Sequence, residues 1–243
     1  MNVLEVKKLS KTFGGLKAVS SVEFSIEEGE ILGLIGPNGA GKTTIFNLIS
    51  GTYRPDEGKV IFHGKDITFL RADEICKLGL TRTFQITKPF LKITVLENVM
   101  VGIYNHVNSR KEAAGQGRQL LEITGFGARA NVLASTLTLA DRKRLELIRA
   151  LATRPTLLLL DEVMAGLNST EVDEMIVLLR KIRDNGTTLF VIEHVMRALM
   201  QVSDRIIVLH HGEKIASGLP KEIAKDQKVI EAYLGEEYVL PKR

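Results

Sequence analysis

A single cysteine, Cys76, occurs in the 243 residues. No internal disulfide can form, and no thiolate-rich metal cluster is expected. A reducing cytosol fits, with Cys76 read as a small buried thiol on a helix. Long apolar runs are also missing. Thr156-Leu-Leu-Leu-Leu160 stops at Asp161, well short of the roughly 20 residues that cross a bilayer. The opening Met1-Asn-Val-Leu-Glu5 carries neither a basic segment nor an apolar stretch, so no secretory leader is expected. Blocks of one charge are absent too. The 33 Lys and Arg are interspersed with 29 Asp and Glu, for a net charge of +4. So small a surplus suits a phosphate ligand or an acidic membrane face and gives no argument for nucleic acid. No internal repeat or low-complexity segment stands out. What is present is ordinary globular composition, 44% hydrophobic and 26% charged, enough for one sizeable core with a smaller attached part.

Periodicity places strands near 3–9, 21–27 and 30–35, the last a buried run Ile31-Leu-Gly-Leu-Ile35. A helix follows from Thr43 to Ser50, closed by Gly51. Arg54-Pro-Asp-Glu-Gly58 reads as a turn into a strand near 59–62. Helical patterns run from about 92 to 153, broken by a polar, glycine-containing link near 107–117. Alternation then resumes: strand 157–161, helix 170–184, strand 187–192, helix 195–202, strand 205–209, and a hairpin turn at His211-Gly212. The pattern predicts an α/β core interrupted by a helical insertion.

Gly36-Pro37-Asn38-Gly39-Ala40-Gly41-Lys42-Thr43 satisfies G-x-x-x-x-G-K-[ST] directly after a buried strand and at the start of a helix. The glycines allow backbone N–H groups to turn inward as a cup for phosphate oxygens. The helix that opens there, with Thr44 in its first turn, aims its positive end at the same anion. Lys42 supplies charge for the β- and γ-phosphates, and Thr43 a hydroxyl for Mg²⁺. These residues predict ATP as ligand.

Such a loop needs a carboxylate for the metal and a group that orients water. Asp161 and Glu162 stand at the exit of the run Leu157-Leu-Leu-Leu160, where open α/β sheets place ligands. Asp161 is assigned to Mg²⁺ and Glu162 to the general base; an acidic pair after a strand can also be a helix N-cap. His194 follows Leu189-Phe-Val-Ile192 through Glu193, and Gln85 follows Thr81-Arg-Thr-Phe84. His194 is placed to reach the γ-phosphate and Gln85 to touch Mg²⁺ or water, although either residue alone would more often be structural.

With these four features in order, the chain resembles the nucleotide-binding subunits of ABC transporters over nearly its whole length. The resemblance implies one domain over 1–243. Its parts would be a P-loop NTPase core with a mixed, largely parallel sheet, an N-terminal antiparallel β subdomain, and an α-helical subdomain inserted at about 86–155. Phe13, in Lys11-Thr-Phe-Gly-Gly15, sits where the family stacks a ring on adenine. The family signature Leu-Ser-Gly-Gly-Gln corresponds to Leu137-Thr138-Leu139-Ala140-Asp141, with both glycines replaced. Thr138-Leu-Ala-Asp141 still matches a capped helix start. The resemblance implies that these four residues act in trans on the nucleotide of a second ATPase subunit. Val163 stands in place of the usual proline and Asn168 in place of the usual aspartate.

Within the family, Arg82-Thr-Phe-Gln85, Ala165-Gly-Leu-Asn168 and Val229-Ile-Glu-Ala-Tyr-Leu-Gly235 resemble ATPases of branched-chain amino acid importers. That similarity implies ATP hydrolysis coupled to import through separate permease subunits, and indirectly a substrate-binding protein. It also implies residence on the inner face of the plasma membrane, with Ile86-Thr-Lys-Pro-Phe90 touching the permease. Lipopolysaccharide-export ATPases are an alternative, but Leu-Pro-Gln-Glu would be expected around position 85. A soluble ABC protein would bring two cassettes or a long heptad insertion, and neither is visible. A P-loop kinase would leave Gln85 and His194 unexplained.

Overall fold

The computed structural model describes residues 1–83 and 89–237. Two sheets carry the fold. β1 (Asn2–Phe13), β2 (Leu16–Glu27), β4 (Glu57–Phe62) and β5 (Lys65–Asp66) form an antiparallel sheet in the order β2-β1-β4-β5. The second sheet contains β3 (Ile31–Ile35), β6 (Leu80–Arg82), β7 (Leu157–Asp161), β8 (Thr188–Ile192), β9 (Arg205–His210) and β10 (Glu213–Gly218). Its order is β10-β9-β3-β8-β7-β6, parallel except for the β9–β10 hairpin.

The central strands are apolar on both faces because both faces are covered. Leu32 and Leu34 of β3, with Leu157 and Leu159 of β7, pack with helix α1 (Lys42–Ile49) and the antiparallel sheet. Ile31, Ile35, Leu158 and Leu160 face the other way, towards α6 (Ser169–Asp184) and α7 (Met196–Val202). Each fully buried side chain of this size contributes about 2 kcal/mol of apolar burial.

A third cluster belongs to α3 (Val95–Ile103), α4 (Arg110–Ile123) and α5 (Leu139–Leu151), with Val99, Leu121 and Leu145 at its centre. The link expected near 107–117 is largely helical, since α4 begins at Arg110 with Ser109 as its cap. Glycine weakens helix propensity, but at Gly117 a Cβ would meet Leu96 Cδ1 at 2.8 Å. Close packing against α3 therefore overrides propensity. The irregular segment lies later, between Ile123 and Thr138, in loops and short 3₁₀ turns.

Cys76 lies on a helix, α2 (Ala72–Lys77), but is only partly buried; its Sγ sits 3.6 Å from Thr81 Oγ1. Short α8 (Pro220–Ile223) and α9 (Gln227–Glu237) follow β10. Among the described residues no helix is long and apolar enough to cross a membrane.

Candidate nucleotide site

Parallel register sets the site. Leu34 pairs with Ile192, and Ile192 with Asp161, so β3, β8 and β7 end side by side. The loops leaving these strands, at Gly36, Glu193 and Glu162, therefore meet at one carboxyl edge of the sheet.

Gly36 and Gly41 are required by contact as well as by conformation. A Cβ on Gly36 would stand 2.2 Å from the Leu209 carbonyl oxygen, and one on Gly41, at φ 101°, 2.3 Å from that of Ala18. Pro37 and Ala40 are buried, whereas Asn38 and Gly39 are exposed at the tip. The Ala40 amide donates to the Pro37 carbonyl (3.2 Å), and its own carbonyl accepts from the Gly212 amide (3.1 Å), fixing the loop to the β9–β10 turn. Lys42 opens α1, one residue earlier than expected, and its buried Nζ donates to the carbonyls of Gly36 (2.6 Å) and Pro37 (2.8 Å). Thr43 is exposed and Thr44 half-buried in the first turn.

Asp161 is 2% exposed, and Arg82 Nη2 donates to its Oδ2 at 2.7 Å. Burial raises its pKa against the opposing pull of Arg82. Its Oδ1 is buried with no hydrogen-bond partner among the described residues. Thr43 and Asp161 line one cleft of about 990 Å³. A buried carboxylate oxygen without a partner among the described residues and an exposed hydroxyl, both from residues lining this cleft, are the donor types a hard, oxygen-seeking divalent cation takes.

Glu162 adopts φ 51°, a left-handed conformation that costs a residue bearing Cβ about 1–2 kcal/mol. Its amide donates to the Ile192 carbonyl (2.9 Å), and its carbonyl accepts from Lys143 Nζ (2.7 Å). The side chain turns to His194, with Oε1 2.7 Å from Nε2. The two residues read as base and switch are thus in direct contact. Gln85 lies outside the described residues, as do Ile86, Thr87 and Lys88.

Phe13 is exposed at the end of β1, its ring edge-on to Tyr53 at 5.4 Å and 5.5 Å from Lys11 Nζ. Lys11 in turn pairs with Asp56 at 2.7 Å. Thr138 caps α5, accepting from the Asp141 amide at 3.2 Å. The Asp141 carboxylate pairs with Arg129 at 3.1 Å. Leu139 is exposed and Ala140 half-buried on the first turn. Asn168 caps α6 in a reciprocal pair with Glu171, a task aspartate performs equally well.

Three residues of the site have no counterpart in the sequence motifs. Tyr53 carries no signal. Lys143 is hidden inside an amphipathic helix. Glu193 reads as a connector, although a carboxylate beside the proposed switch is a signal that could have found it.

Comparisons with known proteins give the family. Residues 19–165 match the family model described as ABC transporter, and residues 213–239 match the one described as branched-chain amino acid ATP-binding cassette transporter. The high-affinity branched-chain amino acid transport ATP-binding protein BraF of Pseudomonas aeruginosa is 39% identical, covering 96% of this chain and 98% of its own. The lipopolysaccharide export system ATP-binding protein LptB of Haemophilus influenzae is 33% identical, covering 99% of this chain and all of its own. Among solved structures, the ADP conformation of an ATP-binding cassette of an ABC transporter superposes with TM-score 0.89 at 30% identity, covering 97% and 99% of the two chains.

Proposed function

Because this chain belongs to the family of ABC transporter ATP-binding subunits, we propose that its carboxyl-edge site hydrolyses ATP to drive branched-chain amino acids, or related substrates, through a separate permease. The site reading is carried by one observation: Glu162 and His194 meet at 2.7 Å beside the phosphate loop. The substrate class is supported by the match of residues 213–239, which favours it over lipopolysaccharide export.

Lys42 exchanges the carbonyls of Gly36 and Pro37 for phosphate oxygens, which as anions bind its buried ammonium more strongly. Glu162 accepts the proton of the attacking water, and His194 fixes the carboxylate that does so. Thr43 and Asp161, with Gln85, would hold Mg²⁺, which neutralises charge developing on the phosphates. Phe13 supplies an aromatic face for the adenine. The capped start of α5, Thr138–Asp141, points its positive end at the nucleotide of a second ATPase subunit. The helical segment within 86–155 serves as the lever of a single cassette. The cleft between this segment and the core, where Phe90, Val101 and Tyr104 are exposed, receives the permease on the inner face of the membrane. A substrate-binding protein acts one step further out.

A pull-down of tagged Glu162→Gln protein with ATP from native membranes tests the transport claim. Recovery of very hydrophobic permease chains with an ATPase partner is expected. Recovery of soluble partners alone would leave the ATP site standing and overturn the transport reading.

A further inference from the structure

The loop after β7 is gripped from two sides by buried charges outside the assigned motifs. Lys143, one turn into α5, is 7% exposed and donates to the Glu162 carbonyl at 2.7 Å. Glu193, at the end of β8, is 1% exposed, and its Oε1 accepts from the Met164 amide. Its other oxygen, Oε2, is buried without a hydrogen-bond partner among the described residues. Lys143 faces three carboxylates, Glu193, Glu146 and Glu162, which oppose the downward push of burial on its pKa. Glu193 is pushed up to about 7, chiefly by burial, with Met164 and Lys143 pulling the other way.

Buried ionisable groups are poor sources of stability, because desolvation offsets most of what their polar contacts gain. A well-packed apolar pair would serve the fold as well. What an apolar pair could not do is hold backbone groups at two points of one strained loop. Glu162 is the residue at φ 51°, and its carbonyl is the group Lys143 holds. Release of that carbonyl would let the peptide relax towards an ordinary φ and swing the side chain off His194.

We propose that Lys143 and Glu193, through their separate hydrogen bonds to the Glu162 carbonyl and the Met164 amide, form a buried brace that positions Glu162, and that they act on hydrolysis as positioning residues rather than by touching nucleotide. The proposal rests on the reading of Glu162 as general base. It also ties the base to the start of α5, because Lys143 stands about 7.5 Å along the helix axis from Thr138. A displacement of Thr138–Asp141 is then carried by a rigid helix to the Glu162 carbonyl.

The test compares Lys143→Met, Lys143→Arg, Glu193→Leu and the Lys143→Met/Glu193→Leu double variant in the full chain. Steady-state ATP hydrolysis, affinity for a fluorescent ATP analogue, and thermal melts to confirm folding are measured for each. Lys143→Met should lower kcat about tenfold or more, since small misplacements of a reacting group are costly, with nucleotide affinity unchanged within about twofold. Lys143→Arg should recover kcat to within about threefold of wild type, and the double variant should be no slower than Lys143→Met, as expected of coupled residues. Should Lys143→Met not fold, Glu193→Leu, which removes the acceptor for the Met164 amide, carries the same test, with kcat reduced and affinity retained.

Wild-type kcat in the folded variants, affinity falling in step with kcat, no rescue by arginine, or multiplicative losses in the double variant would each overturn the brace. Full turnover in Glu162→Gln would instead remove the base reading on which it rests. An inactive Glu162→Gln beside a fully active Lys143→Met would sink the brace alone.

Discussion

Replacing Glu193 by glutamine should make the protein less sensitive to rising pH. The native carboxyl titrates near 7 against an ordinary value of 4.5, and at 1% exposure solvent screens it little. Below pH 4.5 both native and unfolded states hold the proton. Between 4.5 and 7 only the native state holds it, so stability falls as pH rises. Above 7 neither holds it, and the full cost of a buried carboxylate stands. At 1.36 kcal/mol per pH unit that cost is about 3 kcal/mol. Glutamine keeps an acceptor for the Met164 amide and has no charge to bury. Asp161, whose pKa is also raised, titrates in both proteins and cancels in the difference. Thermal or denaturant unfolding of wild type and Glu193→Gln from pH 4.5 to 8 measures the effect. The two curves should diverge by about 3 kcal/mol, or roughly 6–12 °C in Tm for a chain of this size, with wild type losing more as pH rises. Parallel curves, or a variant that loses more, would refute the argument that Glu193 is a buried, costly charge.

Arg82→Met should destabilise the fold by about 3–5 kcal/mol, because it leaves Asp161 buried without its cation, as a shift of the urea midpoint would show. Phe13→Ala should weaken ATP binding by roughly three- to tenfold, the scale of one lost aromatic stack, with kcat at saturating ATP unchanged. Titration with a fluorescent ATP analogue and saturating turnover separate the two quantities.

Motifs that act through backbone and local order are legible in the sequence. The phosphate loop can be read because its glycines answer local demands, and the close approaches at Gly36 and Gly41 are what such spacing implies. The run Leu157–Leu160 announces a strand covered on both faces, and Asp161 and Glu162 stand at its end. Residues whose roles depend on long-range contact are not legible. Lys143 is nineteen positions from Glu162 and Glu193 twenty-nine from Met164, so only the sheet order and the path of α5 bring them together. The middle of helix α4 is hidden for a similar reason: Gly115 and Gly117 argue against a helix locally, and the close packing of Gly117 against Leu96 outweighs that preference. The left-handed Glu162 has no sequence signal, because its conformation is imposed by Ile192 and Lys143.

The central claim, that this site hydrolyses ATP with Glu162 as base, is tested most directly by single-turnover hydrolysis in Glu162→Gln. ATP should bind with near wild-type affinity while its cleavage slows by about 10²-fold or more, the scale of a lost general base, and the protein should accumulate as an ATP-bound dimer. Cleavage at the wild-type rate would contradict the assignment of Glu162 and, with it, the mechanism built on its contact with His194.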